Sequence, residues 1–440
     1  MNLSIKKIFF LFVFLTFHPV MGQDTKPEVI FQHAFKEGDF LEKKLQELVD
    51  GYNNRFESMG KIVLRYGGDY TESFKKLTSK DLSLPHIAMV SEYNTVAMSE
   101  QQGLYIPIED LMDIRAFSFF PVIKEFYSFQ GRMLSYPFNC SVPALYYNKK
   151  AFRAAGLPDR APQTWEEIEE YVKHLQEKSL GGLTFAWPAA YALEHFATIH
   201  NLPFASDHNG FNNPQKAILL LNAVSFVGQL EFLQDLIKRK LLVYAGERAE
   251  DAEKLFLEEK VSILLQGASR YGLIKSKNPT LDIGVAPYPY RLSLIRKPYA
   301  INIGGTSLWV IKGHPQGAYL VVADFLKYLS SPEIQAKWHQ DTGYLPLTTE
   351  AYTLTLKSGF YNKNPAARIA IEQITRHPQN LPNGIRLAHY GTIRQEITEM
   401  LGRLFYDFKP VKTEVNALVH DINKRIREGA IGLSPRKTEK

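Results

Sequence analysis

Short apolar runs alternate with amphipathic segments along the first hundred residues of the chain. Three of the runs are typical of buried strands and lie at 29–31, 61–66 and 87–90. Two intervening segments are predicted as helices and lie at 41–56 and 71–77. The alternation of strands and helices predicts an α/β layer with a parallel sheet. Ligands of such sheets lie beyond the carboxyl ends of the strands, where Tyr70 and Glu92 stand.

The pattern continues through the rest of the chain. Further strands are predicted at 144–147, 261–265 and 283–286. Thr164 and Glu167 form a capping-box sequence that predicts the start of a helix over 165–176. Other helical patterns lie at 217–239, 249–259, 332–340 and 388–428. The length is sufficient for two domains, each with its own apolar core.

The first residues have the pattern of a secretory signal peptide. Lys6 and Lys7 precede an almost wholly apolar run over 8–17, and small residues follow at the end of the run. The run is too short to cross a bilayer, so we expect cleavage after Gly22. The sequence therefore predicts an exported protein that acts in the periplasm.

The charge and the cysteine count narrow the classes of function. The formal net charge of +6 is modest for 440 residues, and basic and acidic residues are interspersed. Nucleic-acid binding is therefore not expected. Cys140 is the only cysteine, so no intramolecular disulfide can form, and we expect this side chain to be buried and unreactive.

Two later segments carry residues suited to a small ligand. Gly304 and Gly305 end an apolar run, and their backbone N–H groups have no Cβ to screen them. Tyr344 follows a predicted helix and is expected to reach the same cleft from a loop. This combination indicates capture of a small anionic solute rather than catalysis.

Several longer sequence motifs, in a fixed order, resemble those of one known family. They lie at 137–149, 201–206, 304–310, 338–346, 359–365, 384–387 and 393–394. Together they resemble the periplasmic solute-binding proteins of ABC importers, and within that family the members that bind sn-glycerol 3-phosphate. The similarity extends from about Phe31 to about Phe405, which is nearly the whole chain after the signal peptide.

The resemblance implies an α/β fold of two lobes with a cleft between them, the type II fold of maltose-binding proteins. The implied N-terminal lobe comprises 23–138 and 292–350, and the C-terminal lobe 139–291 and 351–432. Residues 433–440 are expected to form a flexible tail. The segments 139–143 and 301–305, which would cross between the lobes, are the expected hinges.

The resemblance also implies a set of ligand-binding residues, which are Tyr70, Glu92, Ser141, Trp187, Gly267, Gly305, Tyr344 and Arg394. Arg394 is expected to bind the phosphate as a bidentate donor, and Glu92 to accept hydrogen bonds from the glycerol hydroxyls at the opposite end. At Gly267 the chain departs from the family, which has a serine there, and Ser269 is a candidate replacement. Arg386 is expected to pair with a neighbouring acid.

The implied function is capture of sn-glycerol 3-phosphate, or of a glycerophosphodiester such as glycerophosphocholine, and its delivery to the membrane permease subunits. The protein would act as a monomer without a cofactor or metal. One alternative within the fold is a sugar- or oligosaccharide-binding protein. An alternative from another class is a secreted phosphodiester hydrolase, although the sequence lacks the usual nucleophile and metal motifs of hydrolases.

Overall fold

The computed structural model describes residues 26–79, 83–375 and 384–430. The predicted signal peptide and the predicted tail lie outside these ranges. Within them, no helix combines the length and the apolar character that crossing a bilayer requires.

The strands of the described residues form two main sheets and one small hairpin. In chain order they are β1 (Glu28–His33), β2 (Lys61–Tyr66), β3 (Ile87–Ser91), β4 (Tyr105–Ile106), β5 (Ser128–Phe129), β6 (Arg132–Met133), β7 (Tyr136–Pro137), β8 (Pro143–Asn148), β9 (Leu183–Phe185), β10 (Ile263–Gly267), β11 (Ile283–Pro287) and β12 (Thr306–Ile311).

The first sheet has the order β2-β1-β3-β12-β4, and β7 also pairs with β12. Strands β1, β2 and β3 are parallel, as the sequence predicts, whereas β12 is antiparallel to β3. Both faces of this sheet are covered, since Ile87 and Met89 belong to one apolar cluster while Ala88 and Val90 belong to another.

The second sheet has the order β11-β8-β10-β9. Strand β8 lies in its centre and is antiparallel to both β10 and β11, while β9 runs parallel to β10. All six residues of β8 are buried, so its apolar run is typical of a central strand.

The helices flank the two sheets. They are α1 (Phe40–Arg55), α2 (Tyr70–Thr78), α3 (Thr95–Ser99), α4 (Pro121–Tyr127), α5 (Lys149–Ala154), α6 (Trp165–Glu177), α7 (His195–Ile199), α8 (Ser206–Asn209), α9 (Val224–Lys238), α10 (Ala249–Leu257), α11 (Tyr271–Lys277), α12 (Gln316–Ser330), α13 (Pro332–Thr342), α14 (Thr349–Lys357), α15 (Phe360–Lys363), α16 (Pro365–Thr375), α17 (Tyr390–Phe405) and α18 (Val411–Arg427).

One helical prediction is wrong at its start, and two others gain detail from the structure. The helix predicted from 217 begins only at Val224, because the backbone of Leu219 is bound on both sides by the Asn423 side chain, at 2.8 and 3.0 Å. At the start of the helix from Trp165, the Thr164 hydroxyl accepts from the Glu167 N–H at 3.1 Å, and the Glu167 carboxylate accepts from the Gln163 N–H at 2.6 Å. The long helical tail is divided into α17 and α18.

Two extended segments connect the first sheet to the second. The chain leaves the first sheet after β7 and returns to it before β12, and these two passages pair with each other. Ser141 and Gly304 exchange backbone hydrogen bonds of 3.0 and 2.9 Å. Beside them Gly305 has a φ of +122°, and a Cβ there would lie 1.8 Å from the Asn139 carbonyl oxygen. Only glycine fits this position.

Candidate functional site

A cavity of about 410 Å³ lies between the two sheets, where the connecting segments meet. All eight residues that the sequence singles out line this cavity. Tyr70 and Glu92 follow strands of the first sheet, and Gly267 ends a strand of the second. Its mouth also carries exposed charges of both signs, at Lys36, Asp39, Asp69, Glu250 and Lys277.

Tyr70 is the first residue of α2 and is fixed by the cap of that helix. The Asp69 carboxylate accepts hydrogen bonds of 2.8 Å from the backbone N–H groups of Thr71 and Glu72. The Glu72 side chain in turn accepts from the Asp69 N–H, which completes a capping box. Since helix and cap follow β2 directly, Tyr70 lies at the carboxyl end of that strand.

Glu92 follows β3 and is held by two donors. The Ser91 hydroxyl donates to its carboxylate at 2.7 Å, and the Gly305 N–H donates to it at 3.2 Å. This contact corrects one expectation, because the Gly305 N–H faces a carboxylate rather than open space for an anion. Burial raises the pKa of Glu92, while the charge of Arg394 lowers it. The carboxylate is therefore fixed as an acceptor.

Ser141 and Ser269 form a hydroxyl pair beside Gly267. Their Oγ atoms are 3.2 Å apart, and the Ser269 N–H approaches the Ser141 hydroxyl at 3.4 Å. A Cβ at Gly267 would meet nothing closer than this Ser141 hydroxyl, at 3.4 Å. Ser269 therefore contributes a hydroxyl to the part of the cavity where Gly267 has none.

Trp187 forms a partly exposed wall of the cavity. It has a φ of +48°, a conformation that is costly for a bulky residue and that clusters at functional sites. A π-helical turn over Ala190–Glu194 follows, and such turns are also frequent at functional sites. The turn brings Glu194 to the cavity wall.

Arg394 lies on α17 and forms an ion pair with Glu194. Its Nε donates to one carboxylate oxygen at 2.6 Å and its Nη2 to the other at 3.4 Å. The Tyr390 hydroxyl donates to the same carboxylate at 2.9 Å. Burial alone would lower the pKa of Arg394, but the charges of Glu194 and Glu92 raise it by more, so the net shift of the pKa is upward. Arg394 is thus paired with one carboxylate and interacts electrostatically with a second.

Arg270 is a second cavity-lining arginine, which the sequence reading missed. It follows β10, and its Nε and Nη2 donate to the Glu253 carboxylate at 2.6 and 3.0 Å. Gln266 also donates to Glu253, at 3.0 Å. Burial lowers the pKa of Arg270, but Glu253 raises it more, so the guanidinium stays charged. Its side chain is 24% exposed and that of Glu253 only 2%, so the cation faces the cavity.

The sequence offered little reason to select Arg270 or its neighbours. An arginine at the start of a helix is usually solvated, and Glu253 and Glu194 lie in segments where a charged residue is normally exposed. Ser269 was considered only as a replacement for Gly267. The carbonyl oxygen of the Asn302 side chain lines the cavity without a partner among the described residues, and its position in an irregular segment gave no signal.

Tyr344 lies on the loop after α13, as predicted. Gly343 ends that helix with a φ of +80°, and the buried His339 anchors the loop through its Nδ1, 2.5 Å from the Tyr344 carbonyl oxygen. Burial raises the pKa of Tyr344 to about 12 and that of Tyr70 well above its usual value. Both phenols therefore remain protonated donors at neutral pH.

Arg386 does not form the ion pair expected from the sequence. Its guanidinium donates to the Phe126 carbonyl oxygen and lies over the rings of Phe126 and Phe211. No carboxylate pairs with it within residues 26–79, 83–375 and 384–430. Burial lowers its pKa to about 10. Arg386 is a buried packing residue outside the cavity lining.

Histidines add no positive charge to the cavity. His195 lines it, but burial and the nearby charge of Arg394 lower its pKa to about 3, so the ring is neutral. In the part of the chain that the structure describes, no group of histidines, cysteines and carboxylates has the arrangement of a metal site.

One expected arrangement differs from the structure. The sequence reading places Arg394 and Glu92 at opposite ends of a ligand. In the structure the Arg394 guanidinium lies over the ring of Tyr93, which is next to Glu92 in the chain, at 5.0 Å from the ring centroid, and the charges of Arg394 and Glu92 each shift the pKa of the other group. Arg270 instead interacts electrostatically with Tyr344 and Tyr70. The cavity therefore has an acidic end at Glu92, Arg394 and Glu194, and a hydroxyl-rich end at Arg270.

Two α/β lobes, joined by crossing segments around a polar cavity, are the arrangement of a two-lobed binding protein. The sequence matches the family model of bacterial extracellular solute-binding proteins over residues 47–369. The chain therefore belongs to this family, and the fold class expected from the sequence is confirmed.

Curated relatives match most of this chain and most of their own length. The sn-glycerol-3-phosphate-binding periplasmic protein UgpB of Pectobacterium atrosepticum is 32% identical over 418 residues, which cover 92% of this chain and 93% of the relative. UgpB of Salmonella typhimurium is 32% identical over 401 residues, which cover 88% and 91%. The family resemblance inferred from the sequence motifs is confirmed.

Solved structures of the same fold bind different solutes. UgpB from Mycobacterium tuberculosis in complex with glycerophosphocholine superimposes with a TM-score of 0.77 at 19% identity, covering 92% of this chain and all of that chain. The GacH receptor of Streptomyces glaucescens, solved unliganded and with acarbose, has a TM-score of 0.75 at 16% identity, covering 92% and 99%. At these identities the likeness establishes the fold.

Proposed function

We propose that the protein is the exported solute-binding component of an ABC importer and that it captures sn-glycerol 3-phosphate in the cavity between its lobes. It acts in the periplasm as a monomer, after removal of residues 1–22, and delivers the solute to the membrane permease subunits. It carries out no reaction and needs no cofactor or metal. A glycerophosphodiester such as glycerophosphocholine is the second candidate ligand.

One observation carries this proposal. The eight residues that the family resemblance assigns to glycerol phosphate, although scattered along the chain, all line the same cavity. Their chemistry suits the ligand, because burying a phosphate requires several donors, and hydroxyl groups need acceptors. The cavity supplies guanidinium and hydroxyl donors, a carboxylate acceptor, and the wall of Trp187 for the carbon chain. Relatives that match most of the chain are named for binding sn-glycerol 3-phosphate, and this supports the same solute as the ligand here.

Binding is proposed to operate by closure of the lobes. A ligand that contacts both lobes stabilises the closed state, and the open state is populated without it. We propose lobe boundaries at 23–138 with 292–350 and at 139–291 with 351–432. In support of these boundaries, the strands of each sheet fall within one of the two sets. The hinges are proposed at 139–143 and 301–305.

Calorimetry on the purified protein tests the function. We expect micromolar or tighter binding of sn-glycerol 3-phosphate, weaker or comparable binding of glycerophosphocholine, and no binding of maltose. Maltose binding without phosphate-ester binding would favour the sugar-binding alternative. The same samples, incubated with the diester and divalent metals, should release no alcohol or phosphate, and release would favour the hydrolase alternative.

A further inference from the structure

The two cavity arginines have the same local architecture. Each donates through Nε and Nη2 to a buried glutamate, Arg394 to Glu194 and Arg270 to Glu253. Neither uses Nη1 in a hydrogen bond recorded among the described residues. Each arginine side chain is more exposed than its glutamate partner, at 17% against 5% and 24% against 2%. Both pairs therefore direct the guanidinium toward the cavity.

The surroundings of the two pairs differ in charge. Beside Arg394 lies a second carboxylate, Glu92, so the Arg394 end has two acids for one cation. Arg270 interacts electrostatically with the neutral phenols of Tyr344 and Tyr70, and the Tyr70 phenol also interacts with Glu92. The Arg270 end itself has one acid, Glu253, for one cation. An anion is repelled by the surplus carboxylate of the first arrangement. In the second arrangement the guanidinium is more exposed to the cavity than its carboxylate partner, so it attracts an anion.

The available hydrogen-bond donors follow the same division, because the Ser91 and Tyr390 hydroxyls at the Arg394 end already donate to Glu92 and Glu194. At the Arg270 end, Tyr70, Tyr344 and the Ser141–Ser269 pair offer hydroxyl donors. The backbone of Gly343, which precedes Tyr344, packs against Ser269, so these donors converge. At the other end, Glu92 offers a fixed acceptor. A phosphoryl group needs donors, whereas glycerol hydroxyls need acceptors.

We propose that Arg270, held by Glu253, is the phosphate-binding cation of this cavity, and that Arg394 with Glu92 binds the glycerol hydroxyls. This proposal rests on the proposed function. It reverses the orientation expected from the sequence alone. A dianionic monoester gains more from Arg270 than a diester does, since the diester phosphate carries a single negative charge. Arg270 therefore determines the preference for the monoester.

The test uses a double variant, Arg270→Leu with Glu253→Gln. Replacing Arg270 alone would leave a buried, unpaired carboxylate that could unfold the protein and would repel the ligand. The double variant keeps the net charge of the chain unchanged. A matched control is Arg425→Leu with Glu396→Gln, which removes a similar bidentate pair that does not line the cavity.

Calorimetry with sn-glycerol 3-phosphate and glycerophosphocholine gives the result. We expect the double variant to bind the monoester about 10- to 100-fold more weakly, as for loss of a charge-assisted contact, and the diester only a few-fold more weakly. The affinity of the wild type for the monoester should rise with pH as the phosphate loses its second proton near pH 6, and this rise should be flatter in the variant. The control should bind both ligands as the wild type does.

Three other results would be informative. If the wild type binds the monoester and the double variant binds it equally well with the same pH profile, the role of Arg270 is wrong while the proposed function stands. If the wild type binds neither phosphate ester, the proposed function fails and this inference fails with it. If Arg270→Lys retains most of the monoester affinity that the double variant loses, the positive charge itself is responsible.

Discussion

The two arginine–glutamate pairs of the cavity are built alike and surrounded differently. Arg394 and Glu194 share their end with Glu92, whereas Arg270 and Glu253 share theirs with two tyrosines and a serine pair. Hydrogen-bond geometry alone would assign both arginines to an anion. The charge around each pair separates an end that suits hydroxyl groups from an end that suits phosphate.

This difference shows why a guanidinium alone does not identify an anion site. Each pair is neutral as a unit, and its effect on a ligand depends on which partner is nearer the cavity and on what third group lies beside it. The predictions that follow perturb one end at a time, so that the two ends can be compared directly.

The largest effect is expected at the Arg394 end. Arg394→Leu with Glu194→Gln removes the cation beside Glu92 and leaves that carboxylate unopposed near the ligand. Because both candidate ligands carry glycerol hydroxyls, we expect their affinities to fall together, by about 100-fold, when a charge-assisted contact is lost. Calorimetry measures both affinities. A loss confined to the monoester would mean that Arg394, and not Arg270, binds the phosphate.

A smaller loss is expected from Glu92→Gln. The amide keeps an oxygen acceptor but loses the negative charge that strengthens hydrogen bonds from the ligand hydroxyls. We expect both ligands to bind about 10-fold more weakly. Tighter binding of the monoester in this variant would show that the phosphate lies beside Glu92, because removal of a negative charge would then relieve repulsion.

Although Glu92→Gln should weaken ligand binding, it should stabilise the ligand-free protein. The pKa of Glu92 is raised by burial, so the folded state binds this proton more tightly than the unfolded state does. The resulting penalty is fully present above the folded pKa and disappears as the pH falls below the unfolded value. Glu92→Gln should therefore raise the melting temperature at pH 7 and leave it unchanged near pH 3. A lower melting temperature at pH 7 would contradict this account.

The smallest effect is expected from Gly267→Ser. The nearest atoms to a Cβ at this position lie at 3.4 and 3.7 Å, which is ordinary contact. The change in the free energy of unfolding should stay within about 0.5 kcal/mol, as for substitutions that disturb no contact. The added hydroxyl lies at the Arg270 end, so any gain should favour the monoester. Gly305→Ser is the contrasting control, and it should fold poorly because its Cβ would overlap the Asn139 carbonyl group.

Much of the fold was predictable from the chain. The period of apolar residues gave β2 its correct bounds and placed α1 and α2 to within a residue or two. The prediction was wrong where distant side chains decide the local structure. Asn423 binds the backbone of Leu219 from 204 residues away, and no local pattern reveals such a contact.

The sequence predicted eight of the residues that line the cavity but not how they lie relative to one another. The eight residues of the family resemblance converge on one cavity, but Arg270 and its buried partner Glu253 have no local signal. The use of the Gly305 N–H by the Glu92 carboxylate follows from the pairing of β3 with β12, which are distant in the chain. The approach of Arg394 to Glu92 likewise joins residues from distant segments. Charge balance within the cavity is a property of the folded chain.

A crystal structure with sn-glycerol 3-phosphate bound tests the central claim most directly. The account predicts the phosphorus atom at the Arg270 end, with phosphate oxygens within hydrogen-bond distance of Arg270, Tyr70 and Tyr344, and a glycerol hydroxyl donating to Glu92. A phosphate bound by Arg394 with Arg270 out of reach would contradict it, as would a ligand outside the cavity.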